Sequence, residues 1–241
     1  MKRIEKASEL MWVLGIIFVA LGVSICNKAD LGVSMIAAPA FIVSESALNL
    51  WSGFDVGVTE YLLQGLILIA MCLIIKKFNW RYLLAFAVAV IYGYTLNLFL
   101  WLLGGITLNA VWLRWVTLII GDVFTAFGVA CFFRTYMPLQ VHELFVAELC
   151  TKFNLNISKV KSAFDISLLM ISLLLALTLF GDVGEFDWST IGYSSFHSIG
   201  LGTIVTTLIN SPLISLMGRL LDKLFGREPY FTNLKQILKR S

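Results

Sequence analysis

The sequence predicts an all-α polytopic membrane protein with six transmembrane helices. They form two inverted three-helix repeats, each with a short re-entrant or interfacial helix after its first span. Three observations predict this. The chain is 59% hydrophobic and 14% charged over 241 residues, with a mean hydropathy of +0.88; a soluble domain carries about 25% charged residues. The basic residues gather in alternate loops. A polar break between two apolar helices occurs near residue 28 and again 106 residues later.

A spanning helix needs about 20 apolar residues. Six segments meet this: 10–26, 57–75, 82–103, 111–133, 160–180 and 196–218. Segments 34–50 and 138–153 have helical pattern but are short. In the second, Val141, Leu144, Phe145 and Leu149 share one face, with Gln140, Glu143 and Lys152 pointing elsewhere. The first segment resembles a signal peptide, since Lys2, Arg3 and Lys6 precede an apolar run. Gly22 to Cys26 lacks a small-residue cleavage pattern and Ile25 spoils a lipoprotein site, so the segment is expected to remain as an anchor.

Loop charge sets the topology. With six crossings, one side receives residues 2, 3 and 6; 76, 77 and 81; 134, 152, 159 and 161; and the basic residues from Arg219 to Arg240, which is 16 of the 18 Lys and Arg. The other side receives Lys28 and Arg114, with Asp182, Glu185 and Asp187. The positive-inside rule then puts both termini in the cytoplasm. Eight crossings would put Lys76, Lys77 and Arg81 outside, a worse fit.

The repeat follows from this count. Ala20-Leu21-Gly22-Val23 matches Ala126-Phe127-Gly128-Val129. Six residues after each Gly comes a base, Lys28 or Arg134, and four further on a helix breaker, Gly32 or Pro138. A short helix follows, then a span with an acid near its start, Glu60 or Asp165. Three crossings per unit invert the second unit, an arrangement common in secondary transporters and also found in channels. The units run 1–106 and 107–226, with a basic tail at 227–241 suited to an anionic membrane surface.

Four motifs carry a family resemblance: K-A-D-L-G-V-S at 28–34, P-x-x-x-H-E at 138–143, K-V-K-S-A-F-D at 159–165 and G-L-G-T-I-V at 200–205. In this order they resemble the YczE/YitT-like bacterial membrane proteins over nearly the whole chain. Members of that family carry a Pro shortly after the first Gly; here Ser34-Met35-Ile36 stands there and Pro39 comes later. The resemblance implies a duplicated polytopic membrane protein and names no substrate.

Asp122 is the sharpest site candidate, an acid near the middle of segment 111–133 among Ile119, Ile120, Val123 and Phe124. A carboxyl at that depth costs about 3 kcal/mol and is by default a functional group. It is expected to carry a proton, or else to bind an Asn such as Asn97 or Asn210. The first repeat has Ile16 at the matching place. In the first break, Asp30 or Ser34 suits the cap of the short helix, and Lys28 adds positive charge to its anion-attracting N-terminus. The second break carries Arg134, Gln140, His142 and Glu143. His142 and Glu143 are adjacent, so on a helix they diverge by about 100°, and HELFV lacks the second His of a zinc protease. Glu60 and Asp165 suit either helix-end stabilisation or coupling. His197 suits interface anchoring, Gly93, Gly200 and Gly202 close packing, and Trp101, Trp112, Trp115 and Trp188 an aromatic belt. Four cysteines without CxxC spacing read as buried thiols.

No nucleophile elbow, Walker A loop or dinucleotide fingerprint occurs, and the chain is not expected to be an enzyme or to need a cofactor or metal. The function expected is secondary transport of a small polar or anionic solute across the bacterial inner membrane, coupled to protons. Solute would bind between the two breaks through Lys28, Asp30, Ser34, Arg134, Gln140 and Glu143, with Asp122, Asp165 and Glu60 coupling. A channel, or a membrane anchor for a cytoplasmic enzyme, are the alternatives. The partners expected are the solute and the bilayer, not nucleic acid; a second copy of the chain is left open.

Overall fold

In a computed structural model, residues 4–48, 53–181, 186–187, 192–193 and 198–232 are described. Eight helices lie among them. They are α1 Ser8–Ala29, α2 Ala38–Leu48, α3 Val56–Ile75, α4 Arg81–Leu102, α5 Val111–Phe132, α6 Val141–Phe153, α7 Ile157–Phe180 and α8 Leu201–Leu224. Four short strands accompany them: β1 Ile4–Lys6, β2 Phe186–Asp187, β3 Gly192–Tyr193 and β4 Phe225–Glu228. All but α2 and α6 are long and apolar enough to cross a membrane, which gives six candidate spans. Asp182, Glu185, Trp188, His197 and the tail from 233 onward lie outside the described residues.

The sequence places most helix ends within three residues, and the exceptions have local causes. The last span starts at Leu201, not 196, because Ser198 sits at φ 66° and Gly200 is extended before the first turn. It continues to Leu224 through Leu216, Leu220 and Leu221. Residues 34–37 form a separate turn, with the Ser34 carbonyl accepting from the amides of Ala37 and Ala38, so α2 begins only at Ala38.

β1 pairs in parallel with β4, so the described ends of the chain lie together on one face, here the terminal face. Glu9 at the start of α1 accepts from the Tyr136 hydroxyl and from the backbone amides of Tyr230 and Phe231. Burial and the Glu9 carboxylate push the Tyr136 phenol well above its ordinary pKa. At the far face, the Lys28 ammonium donates to the Gly104 carbonyl and Asp30 pairs with Arg114. Gly32, at φ 104°, lets the chain leave α1 and press on Gly200, whose amide would lie 2.4 Å from a Cβ.

The centre of the bundle is the antiparallel crossing of α1 and α5. A Cβ on Gly22 would meet the Thr125 amide at 2.5 Å and the Gly121 carbonyl at 2.6 Å; one on Gly128 would meet the Val19 amide at 2.7 Å and the Gly15 carbonyl at 2.9 Å. Small residues at these steps let two backbones touch, the usual way membrane helices associate. Around this pair, α1 packs on α4 and α5 on α8. The pair α3 and α4 stands on one flank, and α7 and α8 on the other. Both short helices wedge between α3 and α7.

Polarity is inside out. Leu66, Ile69 and Leu73 of α3, Leu174 of α7 and Leu208 of α8 are exposed, while Glu60, Asp122, His142, Lys161 and Asp165 are buried. A broad exposed apolar surface of this kind fits lipid. Trp101 and Trp112 are exposed at helix ends, as a belt requires, whereas Trp115 packs on Cys26, Leu31 and Leu118. Cys26, Cys131 and Cys150 are buried free thiols and Cys72 is half-buried.

Candidate functional site

The site is built where the chain entering α6 reaches the interior of the bundle and α6 begins. The Trp12 indole donates to the Pro138 carbonyl at 2.8 Å, fixing the loop near the terminal face. Pro cannot continue a helix and favours extended chain before it. Residues 138–140 run on into the interior, and Gln140 is extended at φ −63°, ψ 153°. The first turn of α6 then lies beside Glu60 of α3, while its last turn lies beside the end of α3, where Lys152 donates to the carbonyls of Ile74 and Ile75. Thus α6 stands beside α3 from Glu60 to Ile75 and stops short of the far face.

His142 Nε2 lies 3.1 Å from Glu60 Oε1, which also accepts from Gln64 Nε2 at 3.0 Å. All three side chains are buried. On the neighbouring helix, Lys161 Nζ lies 2.9 Å from Asp165 Oδ1, four residues on, and the Lys161 side chain is 1% exposed. Asn210 of α8 donates its amide to the other Asp165 oxygen at 3.2 Å. Pro212 follows two residues later; without an amide hydrogen it leaves the Leu208 carbonyl short of its helical donor. Phe164 joins the two groups, its ring 5.8 Å from that of His142 and 5.5 Å from Lys161 Nζ.

Several buried polar atoms here have no protein partner: Gln64 Oε1, the Tyr92 hydroxyl, both polar atoms of Gln140, His142 Nδ1, Glu143 Oε2 and Asn210 Oδ1. Both oxygens of Asp122, fully buried in mid-α5, are also unpartnered. Neither Asn expected beside Asp122 bonds it: Asn97 holds Gly57 and Asp55, and Asn210 holds Asp165. Each such atom costs roughly 1–3 kcal/mol if left dry, so the cluster is costly to keep for stability alone.

The sequence-predicted residues divide into three places. Gln140, Glu143, Glu60, Asp165 and Asp122 are buried among the helices that build this cluster. Lys28 and Asp30 lie on the far face, paired as described. Arg134 lies on the terminal face, gripping Asp222 with two hydrogen bonds of 3.0 and 2.8 Å. The two breaks therefore sit at opposite ends of α1 and do not meet. Ser34 is buried, but its hydroxyl lies on the Met35 sulfur and caps nothing. Sequence reasoning gives no site role to Gln64, Tyr92 or Lys161; it names His142 without a partner and Asn210 only as a partner for Asp122. A signal was present: Glu60 with Gln64, and Lys161 with Asp165, are polar pairs four residues apart inside otherwise apolar helices.

A cavity of about 330 Å³ leads from the terminal face to Lys161, between the end of α5, the start of α7 and the second half of α8. Arg134, Ser158, Lys161, Ser211, Ser215 and Arg219 supply its polar wall. The described residues hold no cluster of three or more His, Cys, Asp or Glu side chains arranged to take a metal ion.

Six apolar spans around a charged interior define a multi-pass helical membrane protein. More particularly, the chain belongs to a family of unknown function (DUF6198), whose model matches residues 6–219. No curated protein and no solved structure matches it.

Proposed function

We propose that the protein is a secondary transporter that moves a small polar or anionic solute across the bacterial inner membrane, driven by protons. The observation that carries this reading is the buried cluster joining Glu60, His142, Lys161 and Asp165 in the interior of an apolar bundle. Ionisable groups at such depth mark solute and proton routes in membrane proteins.

The same reading makes the two halves inverted copies. Under the 106-residue offset, Gly22 becomes Gly128 and Gly15 becomes Gly121. The contacts follow: Gly22 touches Gly121, and Gly128 touches Gly15. A two-fold exchange of α1 with α5 carries each contact onto the other. It also carries α1–α4 onto α5–α8, α3–α4 onto α7–α8, and the contacts of α2 with α3 and α7 onto those of α6 with α7 and α3, while the further contact of α6 with α4 has no counterpart of that size. In this reading α2 and α6 are re-entrant, each entering from one face and returning to it. The pairing of β1 with β4 supports an even number of crossings, and the loop charges then put both ends in the cytoplasm. Kinship with the YczE/YitT-like proteins belongs to the same proposal.

The test is uptake into proteoliposomes under an imposed pH gradient, screened over small anions and polar metabolites. Wild type is expected to accumulate one class of solute. Asp122→Asn is expected to keep downhill exchange and to lose accumulation against the gradient. If Asp122→Asn accumulates solute as wild type does, the coupling role is wrong. A flux without counterflow and far above carrier rates would replace the carrier by a channel.

A further inference from the structure

We infer that the cavity on the terminal face is a binding site for a small oxyanion, a carboxylate or a phosphate, with Lys161 at its floor and Arg219 at its mouth. This deepens the transport reading and rests on it for the purpose of the site, though not for the binding itself.

Charge and shape both favour an anion. Arg134, Lys161 and Arg219 face the cavity together with the hydroxyl-bearing residues Ser158, Ser211 and Ser215. No acidic side chain lines it. The carboxylates nearby do not line the cavity and are held by two of its own cations, Asp222 by Arg134 and Asp165 by Lys161, with Asn210 on the second Asp165 oxygen; Arg219 is paired with neither of them. Glu143 is buried and also feels the Lys161 charge, yet it is not part of the wall. Lys161 is 1% exposed, and its ammonium makes no well-aligned hydrogen bond to a protein group despite the near carboxylate. An ammonium has three donors and Asp165 can engage only some of them.

The backbone adds to this. Ile157, Ser158 and Lys161 belong to the first turns of α7, a 24-residue helix whose N-terminus opens on the cavity. A helix N-terminus carries about half a positive charge that attracts an anion; the Ser158 amide itself is already taken by the Asn156 cap at 2.9 Å, so the dipole and not that amide is what α7 contributes. The Ser211 hydroxyl donates to the Ser158 carbonyl at 3.0 Å and stands 3.1 Å from the Ser158 hydroxyl, which can turn its proton toward a guest. An oxyanion here would touch Lys161 on the side away from Asp165, so it would reach the buried cluster without displacing it. A free anion from solution and the phosphate of an anionic phospholipid share this chemistry, and the site opens where either can come.

The experiment uses the full chain, purified in a neutral detergent and stripped of lipid. Inorganic phosphate and acetate are titrated at constant ionic strength against chloride, and binding is read as a saturable rise in thermal stability. A parallel arm places the protein in nanodiscs of phosphatidylcholine, with and without phosphatidylglycerol, and reads anionic lipid retained by native mass spectrometry. Arg219→Gln and Ser215→Leu alter exposed positions on the wall and leave the buried pairs intact. Each is expected to weaken binding at least about tenfold, the usual scale for loss of one charge-assisted contact. Saturable binding of phosphate or acetate assigns the site to a free anion; retention of phosphatidylglycerol alone, lost in both variants, assigns it to lipid phosphate. Absence of both, or variants that bind as wild type does, overturns the site. If the anion binds but no solute crosses proteoliposomes, the transport reading fails and the site stands. If solute is carried and Arg219→Gln changes nothing, the site fails alone.

Discussion

The two short helices, α2 and α6, fill the same gap between α3 and α7, yet their chemistry is opposite. The chain entering α2 and the helix itself bury Val33, Met35, Ile36, Ala37, Ala38, Ala40, Phe41 and Ile42, with the small hydroxyls of Ser34 and Ser44 but no charged or amide side chain. The chain entering α6 buries Gln140, His142 and Glu143. One wedge is an apolar plug that sets Ile42 against Ala176 and Ile199; the other delivers an imidazole to the Glu60 carboxylate. If the two halves are the inverted copies proposed above, the difference separates their duties. Both halves supply long helices to the charged cluster, but only the second supplies a polar wedge.

That comparison breaks first at the seam between the halves. Gly22→Ala and Gly128→Ala each force a Cβ against backbone at 2.5 to 2.7 Å, so each is expected to cost about 3 kcal/mol. Gly15→Ala meets only the Phe132 ring at 3.1 Å and is expected to cost about 1 kcal/mol. Thermal unfolding in detergent ranks the three. Unequal costs for Gly22 and Gly128 would say that the seam is not a two-fold one.

The wedges themselves give the next effect. Phe41→Ala removes a ring from the apolar side and is expected to cost about 3 kcal/mol, with uptake per folded molecule unchanged. His142→Gln keeps a polar group near Glu60 and is expected to cost about 1 kcal/mol, while uptake falls at least tenfold. Measuring stability and flux on the same preparations separates the two wedges. A Phe41→Ala protein that folds but does not transport would put function in both.

Much of this layout is legible in the sequence because lipid makes composition decisive. Six apolar runs and the turn at Gly32 follow from rules that act within one helix or one turn. The site was half legible for the same reason. Asp122, Glu60 and Asp165 are conspicuous as acids in apolar runs, but Lys161 stands at the edge of the predicted span 160–180 and counts there with the loop charges, whereas α7 starts at Ile157 and carries it a full turn into the helix. From sequence His142 diverges from Glu143 and finds no local partner; its partner is Glu60, 82 residues earlier. Partners of that kind depend on which helices pack together, and no local pattern encodes that. The same blindness made the two breaks look like neighbours, although α1 holds them a full span apart.

The smallest expected effect sharpens the contrast between those breaks. Asp30 is 77% exposed on its side chain, and its pair with Arg114 stands in water at the far face. Arg134 is 14% exposed, grips Asp222 with both arms, donates to the Ala130 carbonyl and covers Gly218. Exposed pairs are worth under about 1 kcal/mol and fade with salt. A bidentate pair with a half-buried partner is worth more, and breaking it leaves a carboxylate poorly solvated. Arg134→Gln is therefore expected to cost about 2 kcal/mol at any ionic strength. Arg114→Gln is expected to cost under about 1 kcal/mol at low salt and nothing measurable in high salt. Thermal unfolding at two salt concentrations reads both. Equal costs would mean that the far-face break is clamped as firmly as the terminal one, and the extra mobility that an uptake cycle needs would have to be sought in α3 and α7 instead.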